Sequence, residues 1–444
     1  MKKYAVLLVT AILLSIDSSV AMNMKGGVSG GHADSEMSLV PACLDAKALP
    51  SPHCGRVPTA VYRQTAKHNG MLYVVFSQNS HIYLATSTDQ GATYNAPVAI
   101  NRTPELMYDD GENRPKIVLG HNQEVYVSWT HKTNGRYSGD VRFSRSLDAG
   151  LTFEAPVTIN SDRALISHRF DAMKLNDQGH LYIVWIDKRD KAKAEALEQA
   201  YDGSSLYYVV SKDSGANFLP NSKRVDNSCE CCRIAIDTDN QGKVVTLWRQ
   251  VFPGNIRDHA IAYLDVSTFL DTGSATEQSV LERELIRATN DQWQIEGCPH
   301  HGPDLSIDNK NIAHMAWFTQ GEAHKGLMYG QFDLSQNKIG LTLSIDQSPG
   351  ASRPQVYAQG ESVYLMWKRF EGDSMNLLLR RSNDGGQTWL ADETIATTLN
   401  GSDHPDWLWD GSKLFATWHT QSEGFKIMPV VPSIQPVKPT QEEK

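Results

Sequence analysis

Residues 125–129 read Val-Tyr-Val-Ser-Trp, and this apolar, aromatic-rich run recurs along the chain. Related runs occupy residues 72–76, 181–185, 244–248, 312–317, 363–367 and 414–418. β-Branched and aromatic residues at this density predict buried strands, because they pack well on a pleated surface. Copies about 50 to 70 residues apart fit four-stranded blades. The repeat therefore predicts an all-β fold, a single β-propeller with seven blades preferred and six possible, whose tryptophans pack between blades.

A second repeated element follows several of these runs. Residues 87–94, 146–153, 211–218 and 382–389 share the form Ser-x-Asp-x-Gly-x-Thr/Asn-aromatic. The Ser and Asp oxygens accept backbone N–H bonds and the Gly supplies a positive φ, so the pattern predicts a hairpin turn. This is the Asp-box, and over residues 56–430 the chain resembles the sialidase-like BNR/Asp-box repeat β-propellers. The resemblance implies that these turns are structural and lie on the face away from the active site.

The N-terminal residues predict the cellular compartment. Lys2 and Lys3 precede an apolar run at residues 5–14 that is too short to span a bilayer, and a Ser-Val-Ala site follows it. We expect a Sec-type signal peptide at residues 1–21, a periplasmic or secreted protein, and no membrane span. In the N-terminal arm, residues 22–55, Cys43 and Cys54 are predicted to form a disulfide, because exported proteins meet oxidising conditions. The tail at residues 431–444 is predicted to be disordered.

The composition narrows the classes of function. The 444 residues are 40% apolar and 21% charged, as in ordinary soluble globular proteins. With 42 Lys and Arg against 51 Asp and Glu, the net charge is −9, so we expect no nucleic-acid partner, and we expect no nucleotide cofactor.

An Ala-, Lys- and Glu-rich insertion at residues 190–201 predicts a short helix between the second and third strands of blade three, either a lid or a surface helix.

Basic residues begin the first strand of several predicted blades. In a propeller this strand is innermost, so these residues ring the mouth of the central channel. The predicted carboxylate-binding residues are Arg114, Arg169, Arg233 and Arg353. Planar guanidinium groups bind carboxylates in a bidentate manner, although each could instead pair with an acidic neighbour on another blade.

The sialidase resemblance adds expectations about catalysis. It implies that Arg114 opens a shortened Arg-Ile-Pro-like motif and that Asp140 is the acid/base residue. The family also uses a Tyr nucleophile activated by a Glu, and this sequence offers no identifiable pair. An exo-acting, sialidase-type glycoside hydrolase acting on anionic glycans is therefore an alternative function.

Cysteines and histidines gather in two segments that open adjacent blades, residues 227–234 and 293–302. The predicted metal ligands are Cys229, Cys231, Cys232, Cys298, His300 and His301, with His168 and His404 across the channel. Thiolate and imidazole ligands suit copper or zinc, and we favour copper because the N-terminal arm also carries Met and His. Disulfides among these four cysteines are the alternative.

Three functions follow from these patterns. The first is an exported ligand-binding propeller whose mouth holds a metal ion or a small anionic ligand. The second is the sialidase-type glycoside hydrolase. The third is a scaffold that docks a protein partner on the open face.

Overall fold

The structure of the chain, a computed structural model, describes residues 49–65, 68–265 and 285–430. The predicted signal peptide, most of the N-terminal arm including Cys43, and the predicted disordered tail lie outside these ranges. The described residues form seven small antiparallel sheets and one helix.

The sheets follow one another along the chain, and their strands pair in sequence order. Sheet one contains β1 (Arg56–Thr65), β2 (His68–Gln78), β3 (His81–Ser87) and β4 (Val98–Ala99). Sheet two contains β5 (Lys116–Leu119), β6 (Val125–Lys132), β7 (Gly139–Ser146) and β8 (Val157–Thr158). Sheet three contains β9 (His168–Leu175), β10 (Leu181–Asp187), β11 (Ser204–Ser211) and β12 (Ser222–Ser228), with helix α1 (Arg189–Ala196) between β10 and β11.

The remaining four sheets complete the architecture. Sheet four contains β13 (Ala235–Thr238), β14 (Val244–Arg249), β15 (His259–Leu264) and β16 (Ile286–Arg287). Sheet five contains β17 (Asp304–Ile307), β18 (Ile312–Gln320), β19 (Lys325–Asp333) and β20 (Lys338–Asp346). Sheet six contains β21 (Ala351–Gln359), β22 (Ser362–Glu371), β23 (Ser374–Ser382) and β24 (Glu393–Thr398). Sheet seven contains β25 (Asp406–Trp409), β26 (Leu414–Thr420) and β27 (Gly424–Pro429).

The sheets close into a ring. The first strand of each sheet contacts the first strand of the next, and β25 of the last sheet contacts β1 of the first. First strands therefore surround a common axis, and the molecule is a seven-bladed propeller. This confirms the predicted all-β fold and the preference for seven blades over six.

The repeated tryptophans lie on the second strands of blades two to seven and are at most 2% exposed. Trp248, for example, packs with Phe170 and Val184 of the preceding blade. Each indole N–H also has an acceptor: Trp367 donates to the Asp346 carboxylate at 2.8 Å, and the other five donate to a carboxylate, a glutamine amide oxygen or a backbone carbonyl. Buried indoles thus join adjacent blades without leaving a polar N–H unpaired.

The four Ser-x-Asp-x-Gly turns share one set of hydrogen bonds. In the first, the Gly91 N–H donates to Ser87 Oγ at 2.9 Å, and the Thr93 N–H donates to Asp89 Oδ1 at 2.8 Å. The other three turns repeat this pattern. Two of them also bond to hairpins between first and second strands, at Gln123 and Glu361. These turns and hairpins therefore share one face, and the starts of the first strands form the opposite, open face.

The seventh sheet has three strands among the described residues. The segment just before β1 packs against this sheet without joining it as a strand: the His53 carbonyl lies 3.4 Å from His419 Nε2. Cys54 in this segment is not one of the free cysteines, but its predicted partner Cys43 lies outside the described residues, so their disulfide stays a prediction. No helix in residues 49–65, 68–265 and 285–430 is long and apolar enough to cross a membrane.

Candidate functional site

The loops that precede the first strands build the mouth of the channel on the open face. Two of the predicted arginines lie at irregularities in these strands. A break in pairing register follows Arg169 in β9, where Phe170 has a φ of 59°, and another spans Arg353 in β21, whose φ is 57°. A positive φ is costly for residues with a side chain, so the surrounding contacts must hold these local bends in place.

Arg114 is held by acidic groups of the seventh blade. Its guanidinium lies 3.0 Å from Asp403 and 3.3 Å from Asp406, and it also donates to the His404 carbonyl at 2.6 Å. The Arg114 side chain is 9% exposed. This arginine therefore already has internal carboxylate partners.

Glu112 pairs with two more of the predicted arginines. Its carboxylate forms an ion pair with Arg353, accepts the Arg233 backbone N–H at 3.0 Å and lies 3.7 Å from the Arg233 guanidinium. Glu112 precedes blade two, whereas Arg233 and Arg353 belong to blades four and six. One carboxylate thus holds two cations from across the channel.

Arg169 differs from the other three arginines. It is 7% exposed, and its guanidinium lies over the Tyr108 ring at 3.6 Å and near the Phe170 ring. No carboxylate among the described residues forms an ion pair with it, and its buried Nε has no hydrogen-bond partner there. Burial lowers the pKa of Arg169. Asp110 attracts this guanidinium without forming an ion pair with it, so Arg169 is a candidate site for an anion.

Three further titratable groups lie around the mouth. Burial holds the pKa of the His404 imidazole well below its ordinary value, and nearby cations, Arg353 most strongly, lower it further. Burial also lowers the pKa of Lys368 to about 7, and its ammonium donates to the Ser402 carbonyl at 2.9 Å. Burial raises the pKa of Asp304 to about 7.

The cysteines of the loop before blade four form a compact cluster. Cys229, Cys231 and Cys232 are at most 5% exposed, and their sulfurs all lie within 4.8 Å of one another. The Cys229 sulfur is 3.5 Å from that of Cys232 and 4.0 Å from that of Cys231. Cys298, from the loop before blade five, is exposed and lies near enough to the Cys231 thiol to interact with it. The structure therefore brings three of the four predicted thiols together and places Cys298 near one of them, Cys231, and none of the four is in a disulfide.

Two arginines face this thiol cluster. Arg257 approaches Cys229 at 3.9 Å. Arg249 is 1% exposed, and within the described residues its hydrogen bonds all go to backbone carbonyls, those of Arg257, His301 and Phe318. Hydrogen bonds from Cys231 and Cys232, together with these two cations, hold the pKa of the Cys229 thiol well below its ordinary value. Hydrogen bonding to Cys229 raises the pKa values of Cys231 and Cys232, so the cluster is arranged to carry one negative charge, on Cys229.

The loop of the cluster is also tied to helix α1, which the sequence predicted within residues 190–201. Glu230, between the first two cysteines, accepts a bond from Lys188 at 2.7 Å and pairs with Lys191. The helix thus lies beside the thiols.

None of the predicted histidine ligands belongs to the group of three sulfurs that lie within 4.8 Å of one another. The His301 ring stacks on Phe318 at 4.2 Å, and the His300 carbonyl accepts a bond from Arg353. His404 packs so closely on Gly111 that a Cβ at that glycine would approach its ring to 2.6 Å. His168 is buried among carboxylates of blades two and three and of the loop between them.

Asp140, the acid/base residue implied by the resemblance, belongs to the His168 group. Its Oδ1 accepts a bond from Asn160 at 2.8 Å and lies 3.5 Å from His168 Nδ1. Asp162 and Asp187 lie 3.3 and 3.7 Å from the other ring nitrogen. Burial alone would raise the pKa of Asp140, but the bonds from His168 and Asn160 lower it. A carboxyl held ionised orients an imidazole better than it donates a proton.

Sequence reasoning missed several residues of the mouth. Glu112, Asp403 and Asp406 carry no motif of their own, and their partners are distant in sequence. Arg249 could have been assigned to the site from the sequence, because it ends a tryptophan strand that lies directly beside the cysteine loop.

Comparisons with known proteins bear on the fold. No protein-family model matches the chain, and no curated protein matches it. An ulvan lyase of a polysaccharide lyase family is 12% identical with a TM-score of 0.55, over 86% of this chain and 96% of that one. Polysaccharide lyase Uly1 is 12% identical with a TM-score of 0.52, over 84% and 90%. A Hadza microbial sialidase is 12% identical with a TM-score of 0.45, over 81% and 73%. The chain therefore has the β-propeller fold of structures that include polysaccharide lyases.

Proposed function

We propose that this protein is an exported propeller that binds one soft metal ion, copper favoured, through the thiol cluster of blades four and five. The observation that carries the proposal is the set of three buried thiols in Cys229, Cys231 and Cys232, with Cys298 beside them. Soft thiolate ligands prefer copper(I) and zinc among the common metal ions.

The spacing of the sulfurs supports one shared ion. Two thiolates on a tetrahedral ion with bonds of about 2.3 Å lie roughly 3.8 Å apart. The sulfur separations of 3.5 and 4.0 Å fall on either side of that value.

The surrounding charge supports bound thiolates. A buried cation without an anionic partner is costly, and Arg249 has no ion pair with a carboxylate in the described part of the chain. With Arg257 it supplies two positive charges next to the sulfurs. Three thiolates and one copper(I) ion carry two negative charges, so these arginines balance the loaded site.

The test is anaerobic titration of the reduced protein with copper(I), in competition with a chromophoric chelator. We expect one equivalent to bind tightly, with sulfur as the only ligand type in X-ray absorption. Cys229→Ser should abolish tight binding, whereas Glu230→Gln, which changes the same loop but keeps every thiol, should preserve it. A reduced wild-type protein that takes up no copper(I) would refute the proposal.

His301→Ala separates this proposal from the wider set of ligands that the sequence predicted. Because the His301 ring stacks on Phe318, we expect this variant to keep the copper(I) affinity of the wild type. A loss comparable with that of Cys229→Ser would show that the imidazole is a ligand.

A second candidate function is action on an anionic glycan, and Arg169 favours it. Its guanidinium is buried on Tyr108 with no internal carboxylate paired to it in the described residues, which is an arrangement able to receive a ligand carboxylate. One similar structure is an ulvan lyase bound to -[GlcA(1-4)Rha3S]-.

The test screens uronate-containing polysaccharides and a fluorogenic sialoside for binding and cleavage. We expect Arg169→Met to abolish any activity found. Arg145→Met, which removes a cation paired with Glu154 near one of the Ser-x-Asp turns, should leave it unchanged. Activity that survives Arg169→Met would exclude this role for Arg169.

A further inference from the structure

The three thiols of the cluster and the nearby Cys298 are not equivalent. Cys229, Cys231 and Cys232 are 1%, 5% and 1% exposed and come from one short loop. Cys298 comes from the next blade and is exposed. Structural metal sites are closed, whereas sites that exchange a ligand keep an accessible position. The difference in exposure between Cys298 and the three buried cysteines is typical of a site that exchanges its metal ion.

The loop around Cys298 leaves room for an incoming group. A side chain at Gly297 would meet nothing within 4 Å. In the described residues 288–303, the chain between β16 and β17 contains no strand and only an isolated bridge at Gln294. Cys298 nevertheless lies next to the buried group, near enough to the Cys231 thiol to interact with it. Its sulfur therefore lies between the buried thiols and solvent.

We propose that Cys298 is the exchange ligand of this site, through which copper(I) passes to and from a thiolate-bearing acceptor. This inference rests on the proposed metal-binding function. An acceptor cannot reach three sulfurs that are almost fully buried, but it can reach an ion that is shared with Cys298.

The exchange step is redox-neutral. A copper–sulfur bond to the acceptor thiolate forms while a bond to one of the buried cysteines breaks, and Cys298 holds the ion during the substitution. The remaining protein–copper bonds are replaced in the same way. Copper stays in the +1 state, and a proton lost by an acceptor thiol is taken up by a released cysteine thiolate.

The test measures copper(I) transfer from the loaded, reduced protein to glutathione and to a chromophoric chelator, under anaerobic conditions. We expect Cys298→Ser to keep tight binding but to slow transfer at least tenfold. Cys232→Ser should instead lose affinity. Gln294→Ala, an exposed change in the same loop that removes no thiol, should transfer at the wild-type rate.

Several results would overturn the inference and leave the proposed function intact. Transfer by Cys298→Ser at the wild-type rate or faster would show that Cys298 is not the path. A loss of affinity in Cys298→Ser as large as that in Cys232→Ser would show a closed four-thiolate site. Failure of the wild-type protein to bind copper(I) at all would instead refute the proposed function itself.

Discussion

Gly386 offers a sharp test of the packing around the Ser-x-Asp turns. Its φ is 85°, a conformation that favours glycine, and its N–H donates to Ser382 Oγ. A Cβ at this position would collide with the Tyr329 hydroxyl and approach Tyr329 Cζ to 2.8 Å. That hydroxyl lies 2.7 Å from His314 Nδ1 and accepts a bond from Gln331 at 2.9 Å, so the ring cannot move without breaking these contacts.

The cost of Gly386→Ala has two parts. A left-handed conformation costs a residue with a Cβ roughly 1–2 kcal/mol. Displacing a buried ring in a packed core costs about 1–3 kcal/mol more. We therefore expect a loss of roughly 2–5 kcal/mol in the free energy of unfolding.

The matched control is Gly360→Ala, since Gly360 also has a positive φ, 60°, but a Cβ there would meet nothing within 4 Å. Gly360→Ala should therefore lose only the roughly 1–2 kcal/mol that a left-handed conformation costs a residue with a Cβ. The assay is urea and thermal unfolding of both variants, alone and with Tyr329→Phe, which removes the hydroxyl and should recover part of the loss in Gly386→Ala. Equal stability of Gly386→Ala and Gly360→Ala would refute the reasoning.

Three further predictions concern the charged groups of the mouth. Arg114→Met should lower the free energy of unfolding by about 3 kcal/mol, because it leaves Asp403 and Asp406 without their cation. Arg169→Met should lower it much less, and thermal unfolding of the two variants measures the difference. Glu112→Gln should cost roughly 2–3 kcal/mol by the same measurement, since Arg233 and Arg353 lose their carboxylate, and an unchanged stability would contradict this. Burial raises the pKa of Asp304 to about 7, with Arg233 opposing and Asp406 adding to the shift, so its ionisation destabilises the folded state and stability is lost as the pH rises towards and through 7. Urea unfolding should therefore show Asp304→Asn becoming more stable than the wild type as the pH rises from about 4 to about 7, by up to roughly 4 kcal/mol. A stability difference between the two proteins that does not change with pH would contradict this prediction.

The fold could be predicted from the sequence because its signal is repeated. Each tryptophan strand is local, seven copies reinforce one another, and the Ser-x-Asp turns mark one face. The cysteine cluster was predictable for a related reason: two segments that open consecutive blades must lie side by side. The pairing of the arginines was not predictable, because Arg114 and Asp403 are far apart in sequence and meet only after the ring closes. The same sequence pattern fits Arg169, which has no paired carboxylate in the described residues, and Arg114, which has two. The separation of the histidines from the thiols depends on ring packing such as that of His301 on Phe318, which no spacing rule reports.

The position of Glu112 has a mechanical consequence for the ring. A circle of blades that touch only their neighbours deforms most easily by becoming oval, with opposite blades moving apart. The ion pairs from Glu112 to Arg233 and Arg353 join blades two, four and six by chords across the axis, and such chords resist this deformation. Admission of a ligand at the rim would then depend on movement of the surface loops, such as the one that carries Cys298, rather than on dilation of the whole ring.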